Sequence, residues 1–336
     1  MKVAVIGGVV STEVLVQALV QHKVEEIAVW GYEPKDTSLV SGWCDLRHLA
    51  DGLGLPFESF SKVAECEPSL RAFYPDILFV VGLSQILPSS MLNIASTVNI
   101  GFHPTALPRG RGRAALAWLI LQGENGAATF FALRDGVDDG PVFVQEPYVV
   151  VEDDDTADVE AKLLEAERNA LDRWLPQLMQ GNLTAKDQDH SAATWFGRRS
   201  PEDGWLDWKS RRDELVRLIQ ASAPPHPGAF TFCQKHKIFV LKAVPSSRRE
   251  IGVPGRVLAV HANDGFEVQT GEGIVHISKW RSSTGWTPKV GMLLGYYAEA
   301  EIFELKSRVN HLETSMRHLI DSLGFTTTCN SPLQKP

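Results

Sequence analysis

Residues 77–81 read Ile-Leu-Phe-Val-Val, an apolar run with no polar break. A strand of that composition is covered on both faces, so helices must flank the sheet that contains it. The neighbouring sequence supplies them in alternation. Strands are expected at 2–7, 26–30, 97–102 and 127–133. Helices are expected at 11–20, 45–52 and 113–122, the first with Ser11 or Thr12 near its N-cap. Residues 142–151 are strand-rich and follow closely enough to form an antiparallel edge, and 155–180 is a long helix or a helix pair broken near Pro176. The βαβα order predicts a mostly parallel α/β sheet with helices on both faces.

The composition shifts after about Asn182. The stretch 190–207 is polar and rich in Trp, Arg and Gly. A short helix is expected at 211–221, with Leu215, Leu218 and Ile219 at helical spacing, followed by the turn Ala223-Pro224-Pro225-His226-Pro227-Gly228. Five short strands at 229–233, 238–243, 255–259, 265–270 and 274–278 then predict a small antiparallel barrel. Residues 302–322 close the pattern as an amphipathic helix, with Ile302, Leu305, Val309, Leu312, Met316 and Leu319 spaced by three and four. That stripe needs a partner, either its own barrel or a second chain as a homodimer seam. The expected divisions are 1–190, 191–300, 301–323 and a tail at 324–336, and 336 residues suffice for two cores.

Charge and cysteine usage narrow the function. Lys and Arg number 33 against 41 Asp and Glu, a net −8, which argues against broad electrostatic binding of nucleic acid. Cys44, Cys66, Cys233 and Cys329 show no CxxC spacing, so neither a zinc site nor a disulfide framework is expected. The opening run 2–7 turns directly into Gly7-Gly8 without a small-residue cleavage site. It reads as a strand, too short to span a membrane and unlike a signal peptide, and a cytoplasmic location is expected.

Gly7-Gly8 is either a phosphate loop or a tight βα turn; neither GxGxxG nor a Walker lysine is present. The richer stretch is 99–113, Asn-Ile-Gly-Phe-His-Pro-Thr-Ala-Leu-Pro-Arg-Gly-Arg-Gly-Arg. It places His103 at the carboxyl end of a parallel strand, where open α/β sheets form their ligand crevice. A second loop, 135–141, Asp-Gly-Val-Asp-Asp-Gly-Pro, also follows a strand. A carboxylate there and a strand-end histidine make an acid/base pair. Taken singly, each half also reads as a surface histidine before proline and an acidic turn.

Together these stretches resemble the formyltetrahydrofolate-dependent formyltransferase family. Members carry Asn-x-His followed by x-(Ser/Thr)-x-Leu-Pro-x-x-x-Gly, then a Leu/Val-Asp-x-Gly loop; the matching runs are 101–112 and 137–140. Residues 75–88 look like the family's folate-side strand and loop. Residues 199–208 and 223–230 look like the start of the C-terminal domain of methionyl-tRNA formyltransferases. The resemblance covers about residues 1–300. It implies a Rossmann-like sheet followed by an OB-like β-barrel and a terminal helix, and formyl transfer from N10-formyltetrahydrofolate to a primary amine. It implies His103 and Asp138 as catalytic groups and folate held by Gln85, Ile86, Leu87, Asp135, Gly136 and Val137. Thr105, Arg109 and Arg111, with Arg113, are expected to meet the acceptor or to dress the loop, and no metal is expected.

One position departs from the pattern. The family's catalytic Asn lies two residues before the histidine, where this chain has Gly101. Asn99 shares that strand face but starts ~7 Å away at about 3.3 Å per residue. Either Asn99 is displaced into the role, or another donor or water supplies it, or the chemistry is weakened. For the acceptor, the run 32–45 has one lysine and three acids, where methionyl-tRNA formyltransferases are glycine-rich and basic. Leu-Ser-Gln at 83–85 and Arg-Gly-Arg-Ala at 111–114 look more like sugar-nucleotide N-formyltransferases. A small amine such as an aminosugar nucleotide is therefore expected ahead of tRNA. The reading from another class is a folate-binding module with little or no turnover, or a barrel that stacks single-stranded nucleic acid on Trp280 and Trp286.

Overall fold

The computed structural model describes residues 1–37, 40–262 and 264–323; the expected tail and Cys329 lie outside the described residues. Seven strands form the first sheet: β1 (Lys2–Gly7), β2 (Glu26–Tyr32), β3 (Phe57–Phe60), β4 (Ile77–Val81), β5 (Val98–His103), then β7 (Gly126–Ala132) and β8 (Val142–Tyr148) after a two-residue β6 (Arg111–Gly112) outside it. Their order is β3-β2-β1-β4-β5-β7-β8. The run from β3 to β5 is parallel. The reversed strand is β7, antiparallel to both of its neighbours, so the edge strand β8 points the same way as β1–β5. The connection through α4 (Ala115–Gln122) leaves the chain at the end of the sheet where β5 stops: Thr129 pairs with His103, so β7 enters there and runs back down.

The apolar residues of β4 are all buried, as their composition demands. On one face Val5, Phe79, Ile100 and Phe130 pack against α1 (Val10–Gln21) and α5 (Thr156–Met179) through Leu15, Leu19, Leu171 and Trp174. On the other, Ile6, Leu78 and Val80 meet Leu70 of α3 (Glu67–Phe73) together with Met91 and Ile94. A short α2 (Leu46–Leu53), capped by Asp45, lies beside β2 and β3. The helix α5 is continuous through Pro176. The proline sits in its last turn, where the hydrogen bond it removes is one of few remaining.

Residues 187–200 lead out of the first sheet and carry β9 (Trp195–Phe196), which pairs in parallel with β6. A second sheet of β10 (Ala229–Cys233), β11 (His236–Pro245), β12 (Val257–His261), β13 (Gly265–Gln269) and β14 (Ile274–Ser282) is antiparallel, in the order β10-β11-β14-β13-β12. Leu215, Val216 and Ile219 of α6 (Arg212–Ser222) cover it, while Ala221 packs with Ala117, Ile120, Leu163 and Ala166 of α4 and α5. Trp280 and Trp286 set their rings edge-on to Phe266 at 5.1 and 5.8 Å. They serve the core of this sheet, which corrects their reading as a stacking platform for nucleic acid.

The last helix, α7 (Ala298–Ser322), keeps its apolar stripe exposed and does not lay it on the barrel. No described helix is long and apolar enough to cross a membrane. The thiols of Cys44, Cys66 and Cys233 are unpaired. Burial pushes the first two up to about 12, far from the range of a reactive thiolate.

Candidate active site

His103 ends β5 on the strand face that also carries Asn99 and Gly101, and it is buried. Its Nε2 lies 2.8 Å from the carbonyl of Gly110. A carbonyl only accepts, so Nε2 carries the hydrogen and Nδ1 is the basic nitrogen. Nδ1 faces Oδ2 of Asp138 at 3.6 Å. The strand end and the acidic loop, 35 residues apart in sequence, thus meet at one point.

Asp138 sits in the left-handed region at φ 50°, which aspartate tolerates better than most residues. The same Oδ2 accepts the backbone N–H of Gly112 at 2.8 Å, joining the two loops. Gln188 holds the acidic loop from behind. Its Nε2 donates to the carbonyls of Asp138 and Gly140, at 2.9 and 2.7 Å. Its Oε1 accepts from Nη2 and Nε of Arg111, at 2.7 and 3.2 Å. Arg111, expected at the acceptor, is therefore buried in a supporting role, with its guanidinium also against His190 and over the ring of Trp195. Thr105 is likewise buried and donates to the carbonyl of Arg109 at 2.8 Å, fixing the loop. Arg109 is exposed and pairs with Glu124 at 3.3 Å; Arg113 is exposed as well.

The departure at 101 has a structural account. Asn99 is buried, and its amide is committed to backbone: Nδ2 donates to the carbonyl of Met91 at 3.0 Å and Oδ1 accepts from the N–H of Ala95 at 3.4 Å. It is not turned along the strand toward His103, which corrects its expected role as the displaced amide. Gly101 leaves no empty space either. A Cβ there would stand 2.7 Å from Leu133 Cδ2 and 2.8 Å from Phe131 Cζ. Phe131 lies directly opposite Gly101 in the ladder, so its ring covers the position.

On the loops expected to hold folate, the side chain of Gln85 is tied down. Oε1 accepts from the N–H of Val63 at 2.8 Å and Nε2 donates to the carbonyl of Ser61 at 3.0 Å. Leu87, with Leu83 and Leu133, packs on the core below. Ile86 and Val137 project outward, 86% and 54% exposed. Asp135 is exposed, and a side chain at Gly136 would collide with the carboxylate of Asp139. Gly7 resolves as a tight turn: a Cβ there would collide with the Thr12 hydroxyl and the Val81 carbonyl, which bond to each other at 2.8 Å. Thr12 is not the N-cap; it closes this turn from inside α1.

Sequence reasoning passed over Gln188, Thr194 and Phe196. Thr194 accepts the N–H of Arg111 on its carbonyl and that of Gly110 on its hydroxyl, at 2.9 and 2.8 Å. Phe196 accepts the N–H of Arg113 at 3.1 Å, and its ring stacks on Trp118. The strand β9 is thus a strap across the loop that orients His103. Among the described residues, one trio has donors suited to a metal: His261, Glu267 and His276, on three neighbouring strands. The Glu267 oxygen that faces His261 already accepts Arg248 Nη1 at 2.9 Å, so a guanidinium holds the place a cation would take.

The formyl transferase family matches residues 45–175, and the formyl transferase C-terminal domain matches residues 198–287. The chain belongs to the formyltransferase family. Among solved structures, HypX from Aquifex aeolicus in complex with tetrahydrofolic acid is 18% identical, TM-score 0.63, over 84% of this formyltransferase chain and 44% of its own. The chain thus spans less than half the length of HypX. WlaRD, a sugar 3N-formyl transferase solved in the presence of dTDP and 5-N-formyl-THF, is 15% identical, TM-score 0.63, over 85% of this chain and 99% of its own. An N-formyltransferase from Helicobacter canadensis, in complex with folinic acid and dTDP-3-aminofucose, is 14% identical, TM-score 0.63, over 84% and 100%. At these identities the likeness is one of fold.

Proposed function

We propose that this formyltransferase moves a formyl group from N10-formyltetrahydrofolate to the primary amine of a small molecule, with an aminosugar nucleotide as the acceptor class. The observation that carries the reading is the pairing of buried His103 with half-buried Asp138 at the carboxyl end of the strands. The donor side fits a flat ring system: the outward apolar side chains of Ile86 and Val137 offer contact, and Gln85 fixes the loop that presents Ile86. The donor supplies a formyl carbon bound to a nitrogen that can leave. The attacking amine must lose a proton, and Nδ1 of His103 can take it while Nε2 keeps its hydrogen on the Gly110 carbonyl. The carboxylate of Asp138 stabilises the imidazolium so formed, which returns the proton to N10 as the bond between N10 and the formyl carbon breaks.

The acceptor class rests on two supports. WlaRD, a sugar 3N-formyl transferase, was solved with dTDP, and the Helicobacter canadensis enzyme with dTDP-3-aminofucose. The run 32–45 offers one lysine and three acids, little for the phosphates of tRNA. The exposed Arg109 and Arg113 are available to an acceptor phosphate. A second reading, a folate-binding module with weak turnover, is favoured by one observation: Phe131 and Leu133 fill the space of the family's catalytic amide. One experiment separates the two. The purified protein is given formyl donor and a panel of aminosugar nucleotides, and each acceptor is examined for the mass of an added formyl group. Transfer to an aminosugar nucleotide is expected. Folate binding without transfer to any amine would replace this reading with the module.

A further inference from the structure

We infer that α7 forms a parallel, in-register, two-stranded coiled coil with α7 of a second copy of this chain. The helix leaves the body with its apolar side chains uncovered: Ile302, Leu305, Val309, Leu312, Met316 and Leu319 are each 50–64% exposed, and Leu323, just past its end, is 62% exposed. Their spacing is three, four, three, four, three, four. That is a strict heptad seam, narrower than the stripe of a helix lying on a globular core. The seam runs over 302–323, about three heptads, or ~33 Å at 1.5 Å per residue.

The residues on the seam select the partner. Placing Ile302 at heptad position a puts Val309, Met316 and Leu323 at a, and Leu305, Leu312 and Leu319 at d. β-Branched side chains at a with leucine at d favour two parallel strands. The flanks agree. Glu301 and Arg308 fall at g, and Lys306 and Glu313 at e. In a parallel pair each g side chain faces the e side chain of the partner's next heptad. Glu301 then meets Lys306 of the partner subunit, and Arg308 meets Glu313 of the partner subunit. Both pairs are of opposite charge, and each occurs twice across the two-fold axis. The charge pattern is thus self-complementary and specifies the occupant, an identical helix, while the residues at a and d give the direction.

The test uses the full chain, followed by sedimentation over a range of concentrations. The wild type is expected to be a dimer that dissociates on dilution, because a seam this short gives a concentration-dependent assembly. Val309→Asp with Met316→Asp should yield a monomer with unchanged thermal unfolding of the remaining body, since both side chains belong to no core cluster of the body and are at least half exposed. Glu313→Arg alone should weaken the dimer about tenfold, by exchanging two attractive contacts for two repulsive ones. Arg308→Glu combined with Glu313→Arg in one chain should restore it. Mixing the two single variants should give a mixed dimer tighter than either parent. A monomeric wild type overturns the inference, as does a dimer indifferent to the two aspartates, which would be built elsewhere. A dimer unweakened by Glu313→Arg overturns the parallel direction.

Discussion

His103 has one basic nitrogen to offer, and the fold has chosen which. With Nε2 on the Gly110 carbonyl and Nδ1 toward Asp138, the imidazole is orientated before any ligand arrives. His103→Ala should reduce kcat by roughly 10²–10⁴-fold, the contribution of one acid/base group, with donor affinity little changed; an unaltered kcat would remove His103 from the mechanism. Asn99 makes the opposite case. Its amide serves the Met91 carbonyl and the Ala95 N–H, so Asn99→Ala should cost about 1–3 kcal/mol of stability, by orphaning buried backbone groups, and leave kcat nearly intact. Thermal melts and steady-state rates on the same preparation read both quantities. Gly101→Asn would write the family's Asn-x-His pattern back into the sequence. It should nonetheless lower activity and cost about 1–3 kcal/mol, because the new side chain starts inside contact distance of Phe131 and Leu133. A rise in kcat would show that those two side chains can yield.

Between secondary elements, the decisive link is the pairing of β6 with β9. Gly112 makes it possible: its φ is +105°, and an added Cβ would collide with the Phe196 carbonyl. Gly112→Ala should therefore lower the melting temperature and activity together, displacing the strap and the N–H that Asp138 accepts. Gly285→Ala is the control, a left-handed glycine with open space around it; it should cost only about 1 kcal/mol and leave the rate unchanged. Elements of this scale divided sharply in how far they could be read from sequence. The buried strand β4 and the strand-end His103 announced themselves through composition and loop chemistry. The direction of β7 did not, because it depends on the end of the sheet at which the β5–β7 connection leaves the chain and not on any residue of β7. The short β3 and α3 carried too few periods to register. Gln188 sits 50 residues beyond Asp138, and only the path of the linker brings its amide to the acidic loop.

At the scale of the whole molecule, the two sheets are tied through the start of α5 and the end of α6. The Thr156 hydroxyl donates to the Gln220 carbonyl at 3.0 Å, and Gln220 Nε2 donates to the Glu152 carbonyl at 2.9 Å. His226 closes the junction, with Nδ1 2.8 Å from the Ala221 carbonyl and 3.2 Å from the Thr156 hydroxyl. Burial holds this imidazole below its ordinary pKa of 6.5; the bond to Ala221 opposes the shift and nearby Arg199 adds to it. The unfolded chain therefore takes up the proton first as pH falls, so the stability His226 contributes is present above about pH 6.5 and lost below it. Melting temperature should fall from pH 7 to pH 5.5, and the fall should be shallower in His226→Gln; identical slopes would free His226 of that role. The strap has a consequence of another kind, for recombination among relatives. A crossover at residue 190, where the composition changes, would take Thr194 and Phe196 from one parent and the loop they bind from the other. A crossover after residue 200 keeps each loop with the strand that shaped it. Exchange of the second half, in the laboratory or in ancestry, would leave working descendants more often when the break falls there.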